Sequence, residues 1–248
     1  MKASKEFVID SFSGKEVQEK YRRSVFDIGL WESEKIIFGR YLNETSKILD
    51  IGCGAGRTTF GLHKLGYKNI VAVDFTPKMI ESAKVIQLEL KTNIDFEVGD
   101  ACNLRFTDEI FDSCIFSFNG LMQIPIRENR LKAMKEINRV LKGKGLFIFT
   151  THDREKNEEW LWFWEEEKIR WESGNIDDRI FEYGDRIIFE EGRETFLHFP
   201  TRDEILSMHK ESNFIDVEDK WIFDIADEPK IVRENVCGCR FWIAKKKD

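Results

Sequence analysis

Three glycines and three carboxylates carry the chemistry that this sequence announces. Gly52, Gly54 and Gly56 stand in the run Asp50-Ile51-Gly52-Cys53-Gly54-Ala55-Gly56. Glycines spaced this way let the backbone turn tightly and bring main-chain N–H groups up to a ligand. Asp74 follows Gly52 by about twenty positions, where an acid at the end of the next strand accepts hydrogen bonds from ribose hydroxyls. Asp100 occupies the corresponding place one element further on. Such a set holds an adenosine-containing ligand. A dinucleotide and a cationic nucleoside both answer that description. The dinucleotide pattern is G-x-G-x-x-G/A, and its third small position is Arg57 here. The acid at Asp50 suits a cationic ligand better than a pyrophosphate.

A few other residues bear on reactivity. His152, next to Asp153, is the candidate general base, and His198 ranks below it. Asp153 either orients the imidazole or caps the following helix. Trp160, Trp164 and Trp171 share the spacing of one helix face and read as packing. Trp162 falls off that face and is a candidate acceptor contact, as are Tyr21 and Trp31 nearer the N-terminus. The five cysteines include Cys237-Gly238-Cys239, a C-x-C without a His/Cys cluster around it. They read as reduced thiols, and no metal site is signalled.

These residues need elements to place them. Apolar residues at helical spacing over roughly 15–42 predict two helices that form an N-terminal cap. Strands are expected at 47–51, 70–74, 94–98, 111–118 and 146–150. Helices are expected at 57–65, closed by Gly66, at 77–91, begun by Thr76 and Pro77, and at 127–141. This alternation implies an α/β fold with parallel strands and crossover helices on both faces. The rhythm breaks over 153–199. A tryptophan-rich helix at 155–171 and antiparallel strands at 179–183, 186–190 and 194–199 read as an insertion over the sheet's edge. A helix at 202–211 and strands at 214–223 and 240–244 end one domain spanning 1–248.

Several motifs together resemble class I S-adenosylmethionine-dependent methyltransferases. Ile48-Leu49-Asp50-Ile51-Gly52-Cys53-Gly54-Ala55-Gly56 looks like their first motif, and Val73-Asp74-Phe75-Thr76-Pro77-Lys78-Met79-Ile80 their second. Gly99-Asp100-Ala101 matches the loop after the third strand, and Phe111-Asp112-Ser113 opens the fourth. Leu141-Lys142-Gly143-Lys144-Gly145-Leu146 is similar to their L-K-P-G-G turn, departing at Gly143 and Lys144. The likeness covers about residues 40–150 well and the C-terminal elements loosely. It implies a Rossmann-like, doubly wound, mostly parallel seven-stranded sheet with an antiparallel last strand. It further implies S-adenosyl-L-methionine as cofactor. Gly52, Gly54 and Gly56 would line its methionine and ribose, with Asp50 near the amino group and Asp74 on the ribose. Phe75 and Met79 would flank the adenine, with Asp100 and Ala101 at its edge. Phe118 and Asn119 would lie near the methyl donor.

Composition narrows the acceptor. Forty-six acidic against 39 basic residues, a net charge of -7, disfavour capture of a nucleic-acid backbone. A tRNA held by a local patch stays open. Ser117-Phe118-Asn119-Gly120 lacks the signature of amino-group methylation on DNA bases, and no Pro-Cys pair offers a nucleophile for cytosine carbon. A small-molecule acceptor, methylated at oxygen or nitrogen, is expected. A binding module without catalysis is the alternative. No apolar run of ~20 residues predicts a membrane span. The first residues lack a signal-peptide pattern, so a cytoplasmic location is expected by default.

Overall fold

The computed structural model describes every residue except Met1, Glu191 and Cys237, so half of the C-x-C pair lies outside the described residues. The chain opens with helices α1 (Lys5–Ser13), α2 (Lys15–Arg23) and α3 (Glu32–Tyr41). Strand and helix then alternate through β1 (Ile48–Ile51), α4 (Arg57–Leu65), β2 (Ile70–Asp74), α5 (Pro77–Leu90) and β3 (Asp95–Val98). Next come β4 (Phe111–Phe116), α6 (Arg127–Val140) and β5 (Leu141–Thr151). The insertion supplies α7 (Leu161–Glu172) and a hairpin of β6 (Asp185–Glu190) and β7 (Arg193–His198). The chain closes with α8 (Arg202–Glu211), β8 (Phe214–Trp221), α9 (Ile222–Ile225), α10 (Lys230–Val236) and β9 (Arg240–Lys246).

Seven strands form one sheet in the order β3-β2-β1-β4-β5-β9-β8. The pairings β1–β2, β1–β4, β2–β3 and β4–β5 are parallel. The last strand, β9, runs antiparallel to both β5 and β8. This is the doubly wound Rossmann-like sheet expected from the motifs. Period-2 alternation splits each central strand between two cores. Ile48 and Ile148 join the apolar cluster under α3, α4 and α5. Leu49, Phe147 and Phe149 join the one under α6 and α8. Crossovers leave β1 in opposite directions toward β2 and β4, which opens a crevice at the carboxyl ends of β1 and β4. The register sets Ile51 beside Val73, and so brings the glycine loop against the end of β2.

Three expectations need correction. A helix precedes the two expected over 15–42: Ser4 caps α1 by accepting from the Phe7 N–H at 3.3 Å. It is too short to hold by propensity and is held by packing on β7, which no local pattern reveals. Residues 179–183 form turns rather than a strand, because the Asp185 carboxylate accepts from the N–H groups of Phe181 and Glu182 at 3.0 and 3.1 Å. Finally, the hairpin lies over the carboxyl ends of the strands, not over the sheet's edge. Ser11 Oγ donates to the Glu194 carbonyl at 2.7 Å, and Arg193 donates to the Ser11 carbonyl at 3.1 Å. The Ala3 N–H reaches the Arg179 carbonyl at 2.9 Å. The N-terminus and the insertion thus meet above the crevice.

Candidate active site

The crevice is the floor of a cavity of about 1390 Å³. Its floor is the glycine loop. Gly52 and Gly54 have φ of +63° and +56°, and an added Cβ would come within 2.5 Å of the Phe116 ring and 2.9 Å of the Tyr21 ring. No side chain fits at either place. Asp74 holds the loop from the next strand. Its Oδ2 accepts from the Gly54 N–H and its Oδ1 from the Thr76 N–H, each at 2.8 Å. Burial raises its pKa despite these bonds. Asp50 is buried beneath, accepts from Thr59 Oγ1 at 2.6 Å, and burial pushes its carboxyl up to about 7.

Arg57, at the position that discriminates the two cofactors, turns away from the ligand. It forms a two-pronged pair with the fully buried Glu34 at 2.6 and 2.7 Å and donates to the Gly29 carbonyl at 2.7 Å. The guanidinium also stacks over Trp31, 4.7 Å from the ring centroid. Glu34 holds the guanidinium, which still draws the Asp50 carboxyl downward, although burial outweighs that effect.

At the far end of β2, Phe75, Met79, Asp100 and Ala101 line the same wall. Lys5 of α1 joins two of them. Its Nζ lies 2.5 Å from Asp100 Oδ2 and 4.6 Å from the Phe75 centroid. Beyond β4, Phe118 and Asn119 turn through the left-handed region, with φ of +52° and +60°. Phe118 meets Trp31 edge-on at 5.5 Å.

His152 is half-buried in this wall with both nitrogens engaged. A carbonyl can only accept, so Nδ1–H donates to the Gly238 carbonyl at 2.9 Å. Nε2 therefore carries the lone pair and accepts from Asn119 Nδ2 at 3.0 Å. Burial drops its pKa to about 4, which leaves the ring neutral near pH 7. A base needs a free lone pair, and this ring has none to offer. Asp153 does not orient it. That carboxylate caps the Glu155 N–H at 3.1 Å and pairs with Arg240 at 2.9 Å. His198 is paired to Asp185 at 2.7 Å, beside Glu182, which Arg130 neutralises at 2.6 Å. With Arg130 buried there, a metal ion would meet a resident positive charge.

The acceptor end is walled by Ile124, Phe163, Trp164, Ile187, Leu197 and Phe199, with Trp160 at its margin. Of the residues proposed from sequence, Tyr21, Trp31, Asp50, Gly52, Gly54, Asp74, Phe75, Met79, Asp100, Ala101, Phe118, Asn119 and His152 line the cavity. Gly56 and Trp162 do not. Gly56 instead makes room for Phe60 and Phe96, which an added Cβ would meet at 2.7 and 3.2 Å. Trp162 is 59% exposed, because α7 turns Phe163 and Trp164 inward. Lys5, Glu34, Arg193 and Thr195 were missed. Alternation from 193 to 199 was the available signal for the last two, since Arg193, Thr195, Leu197 and Phe199 all line the cavity.

Comparison with known proteins agrees with this geometry. Residues 42–185 match the family model described as a methyltransferase domain. The chain belongs to the class I S-adenosylmethionine-dependent methyltransferase family. It is 31% identical over 218 residues to the ubiquinone/menaquinone biosynthesis C-methyltransferase of Rickettsia prowazekii, covering 82% of this chain and 84% of that one. It is 35% identical over 118 residues to human EEF1A lysine methyltransferase 2, covering 46% of this chain and 50% of that protein. The chain spans less than two thirds of the length of three of the curated relatives it matches, 63%, 50% and 42%. The fold matches an S-adenosylmethionine-dependent methyltransferase from Methanosarcina mazei with a TM-score of 0.71 at 22% identity, over 89% of this chain and 99% of that one. Among the described residues, no helix is long and apolar enough to cross a membrane.

Proposed function

We propose that this chain methylates a small acceptor with a hydroxylated aromatic ring, using S-adenosyl-L-methionine, in the cytoplasm. One observation carries the reading: the glycine loop and the apolar wall of the insertion face a single cavity. Its volume of about 1390 Å³ exceeds the ~300–1,000 Å³ of a typical single-ligand pocket. Room for a donor and an acceptor end to end is what methyl transfer requires.

The residues present suit that cofactor. Asp74 keeps lone pairs for ribose hydroxyls after accepting from Gly54 and Thr76. Asp50 would face the cationic amino group, and Gly52 and Gly54 would leave space for the methionine chain. Phe75 and Met79 would flank the adenine, with Asp100 and Ala101 at its edge and Phe118 and Asn119 at the methyl end. Bound S-adenosylmethionine supplies an electrophilic methyl carbon, displaced in line from sulfur to leave S-adenosylhomocysteine and a proton. The protein's share is alignment and exclusion of water, which the meeting of α1 and the hairpin above the crevice favours.

The nature of the acceptor follows from what His152 lacks. With both nitrogens engaged, it positions Asn119 rather than taking a proton. An acceptor that is already electron-rich, such as a hydroxylated ring attacking through carbon, needs no strong base. The name of the Rickettsia relative points the same way and moves the expectation from oxygen or nitrogen toward ring carbon. The test is two measurements on the full chain. Calorimetry should show S-adenosylhomocysteine binding, and its absence sinks the methyltransferase reading. Tritium from methyl-labelled S-adenosylmethionine should enter 1,4-naphthohydroquinone; cofactor binding without such transfer overturns the ring acceptor.

A further inference from the structure

The cavity wall carries three buried polar atoms that nothing in the protein satisfies. Among the described residues, Asn119 Oδ1, Arg193 Nε and Thr195 Oγ1 have no hydrogen-bond partner. Asn119 is 4% exposed and Thr195 7%, and both line the cavity with Arg193. Of the seven such atoms among the described residues, these three belong to residues that line the cavity, where a ligand can pair them.

Their chemistry and placement differ. Arg193 and Thr195 lie two apart on β7 and present the same side of the strand to the cavity. Both offer donors. The turn Gly120–Gln123, which starts directly after Asn119, packs against β7, so Asn119 faces the same space from the methyl end. Its orientation is set. His152 Nε2 can only accept, which places Nδ2 toward the ring and leaves Oδ1 as the free acceptor.

Among the arginines of the wall, charge pairing singles out Arg193. Arg57, Arg154 and Arg23, also on the wall, face Glu34, Glu204 and Glu19, and Arg186 faces Glu167. Arg193 faces no carboxylate among the described residues. It donates through Nη1 to the Ser11 carbonyl and lies 4.9 Å from the Phe12 centroid. A cation stacked on a ring and flanked by an unpaired hydroxyl is an oxyanion anchor in an apolar wall.

We propose that Arg193 and Thr195 bind an anionic oxygen of the acceptor, while Asn119 Oδ1 accepts from an O–H of its ring beside the methyl donor. The acceptor class is then an aromatic ring with a hydroxyl near the donor and an oxyanion, such as a carboxylate, toward the hairpin. His152 is a positioning residue that orients Asn119. This rests on the methyltransferase reading and deepens its acceptor half.

The experiment uses a matched pair of probes, 6-hydroxy-2-naphthoate and 2-naphthol, titrated calorimetrically into the full chain saturated with S-adenosylhomocysteine. The carboxylate probe should bind at least about tenfold more tightly, the size expected of one charge-assisted bond. Arg193→Met should erase that preference while S-adenosylhomocysteine still binds. Thr195→Val should reduce it about threefold to tenfold, and serves as the second variant if Arg193→Met fails to fold. Equal affinity for the two probes, no binding of either, or an unchanged preference in both variants overturns the anchor. Loss of S-adenosylhomocysteine binding by the wild-type chain would be a failure of the methyltransferase reading instead, so the two failures are read separately.

Discussion

The two halves of the cavity are built by opposite means. The donor half comes from residues 48–101, in which each strand end delivers its group directly: Asp50 and the loop after β1, Asp74 after β2, Asp100 after β3. The acceptor half is assembled from α1, the turn after β4, α7 and the β6–β7 hairpin, segments far apart in sequence. The donor half is rigid because hydrogen bonds tie its loop to the neighbouring strand. The acceptor half depends on side chains that meet across the cavity mouth. One ligand is common to a whole family and the other is not, and the two constructions follow that division.

The buried pair of Arg57 and Glu34 ties the end of the donor half's glycine loop to α3, and breaking it should have the largest effect. Glu34 is fully buried and Arg57 leaves the glycine loop to reach it. Glu34→Ala strands a buried guanidinium and should cost about 3–5 kcal/mol of stability, read by urea denaturation. Cofactor affinity should fall as well, since the released cation can approach Asp50. A variant as stable as the wild type would mean that this pair does not hold the loop to α3.

The next effect is confined to the donor half. Asp74→Asn keeps the side-chain shape but weakens the grip on Gly54 N–H and on a ribose hydroxyl. Losing about 1.5–3 kcal/mol from charged hydrogen bonds corresponds to S-adenosylhomocysteine binding about ten- to a hundredfold weaker by calorimetry. Acceptor-end probes added to the saturated protein should bind unchanged. A parallel loss at both ends would erase the division.

That division also explains what could be read in the residues alone. The donor half was legible because glycine spacing and strand-end acids are local patterns, and the sheet positions them by register. Even there Gly56 misled, since close packing on Phe60 and Phe96 demands glycine as firmly as a ligand does. The acceptor half was not legible. Trp162 stood out by falling off a helix face, and off that face proved to be solvent. Arg193 was silent because its meaning depends on Ser11 and Phe12, far away in sequence. Helix α1 was silent for the same reason.

Each half holds a titratable group shifted far by desolvation, Asp50 in one and His152 in the other, and their pH effects oppose. Asp50 rises from 3.8 to about 7, so the fold holds its proton more tightly than the unfolded chain. That contribution is present below about pH 4 and lost as pH rises through 7. His152 falls from 6.5 to about 4, so the unfolded chain takes up its proton first. Its contribution is present above pH 6.5 and lost as pH falls through 4. Each slope is at most about 1.4 kcal/mol per pH unit, and between pH 4 and 6.5 they cancel. Denaturation at several pH values should show Asp50→Asn gaining stability with rising pH relative to wild type, and His152→Gln losing it. Identical profiles would mean that neither group is held as the geometry indicates.

The smallest effect separates two near neighbours at the start of α7. Trp160 lines the cavity while 44% exposed, and Trp162 is further exposed and off the wall. An aromatic contact to a bound ring is worth about 0.5–1.5 kcal/mol. Trp160→Ala should therefore raise the KM for a naphthohydroquinone acceptor about three- to tenfold. Stability should move by no more than about 0.5 kcal/mol, since neither residue supports the core. Trp162→Ala should leave KM and stability alike untouched. Both variants keep the donor half whole, so S-adenosylhomocysteine affinity is their internal control. A rise in KM from Trp162→Ala and none from Trp160→Ala would require α7 to rotate when the acceptor enters, turning this half from a fixed wall into a closing one.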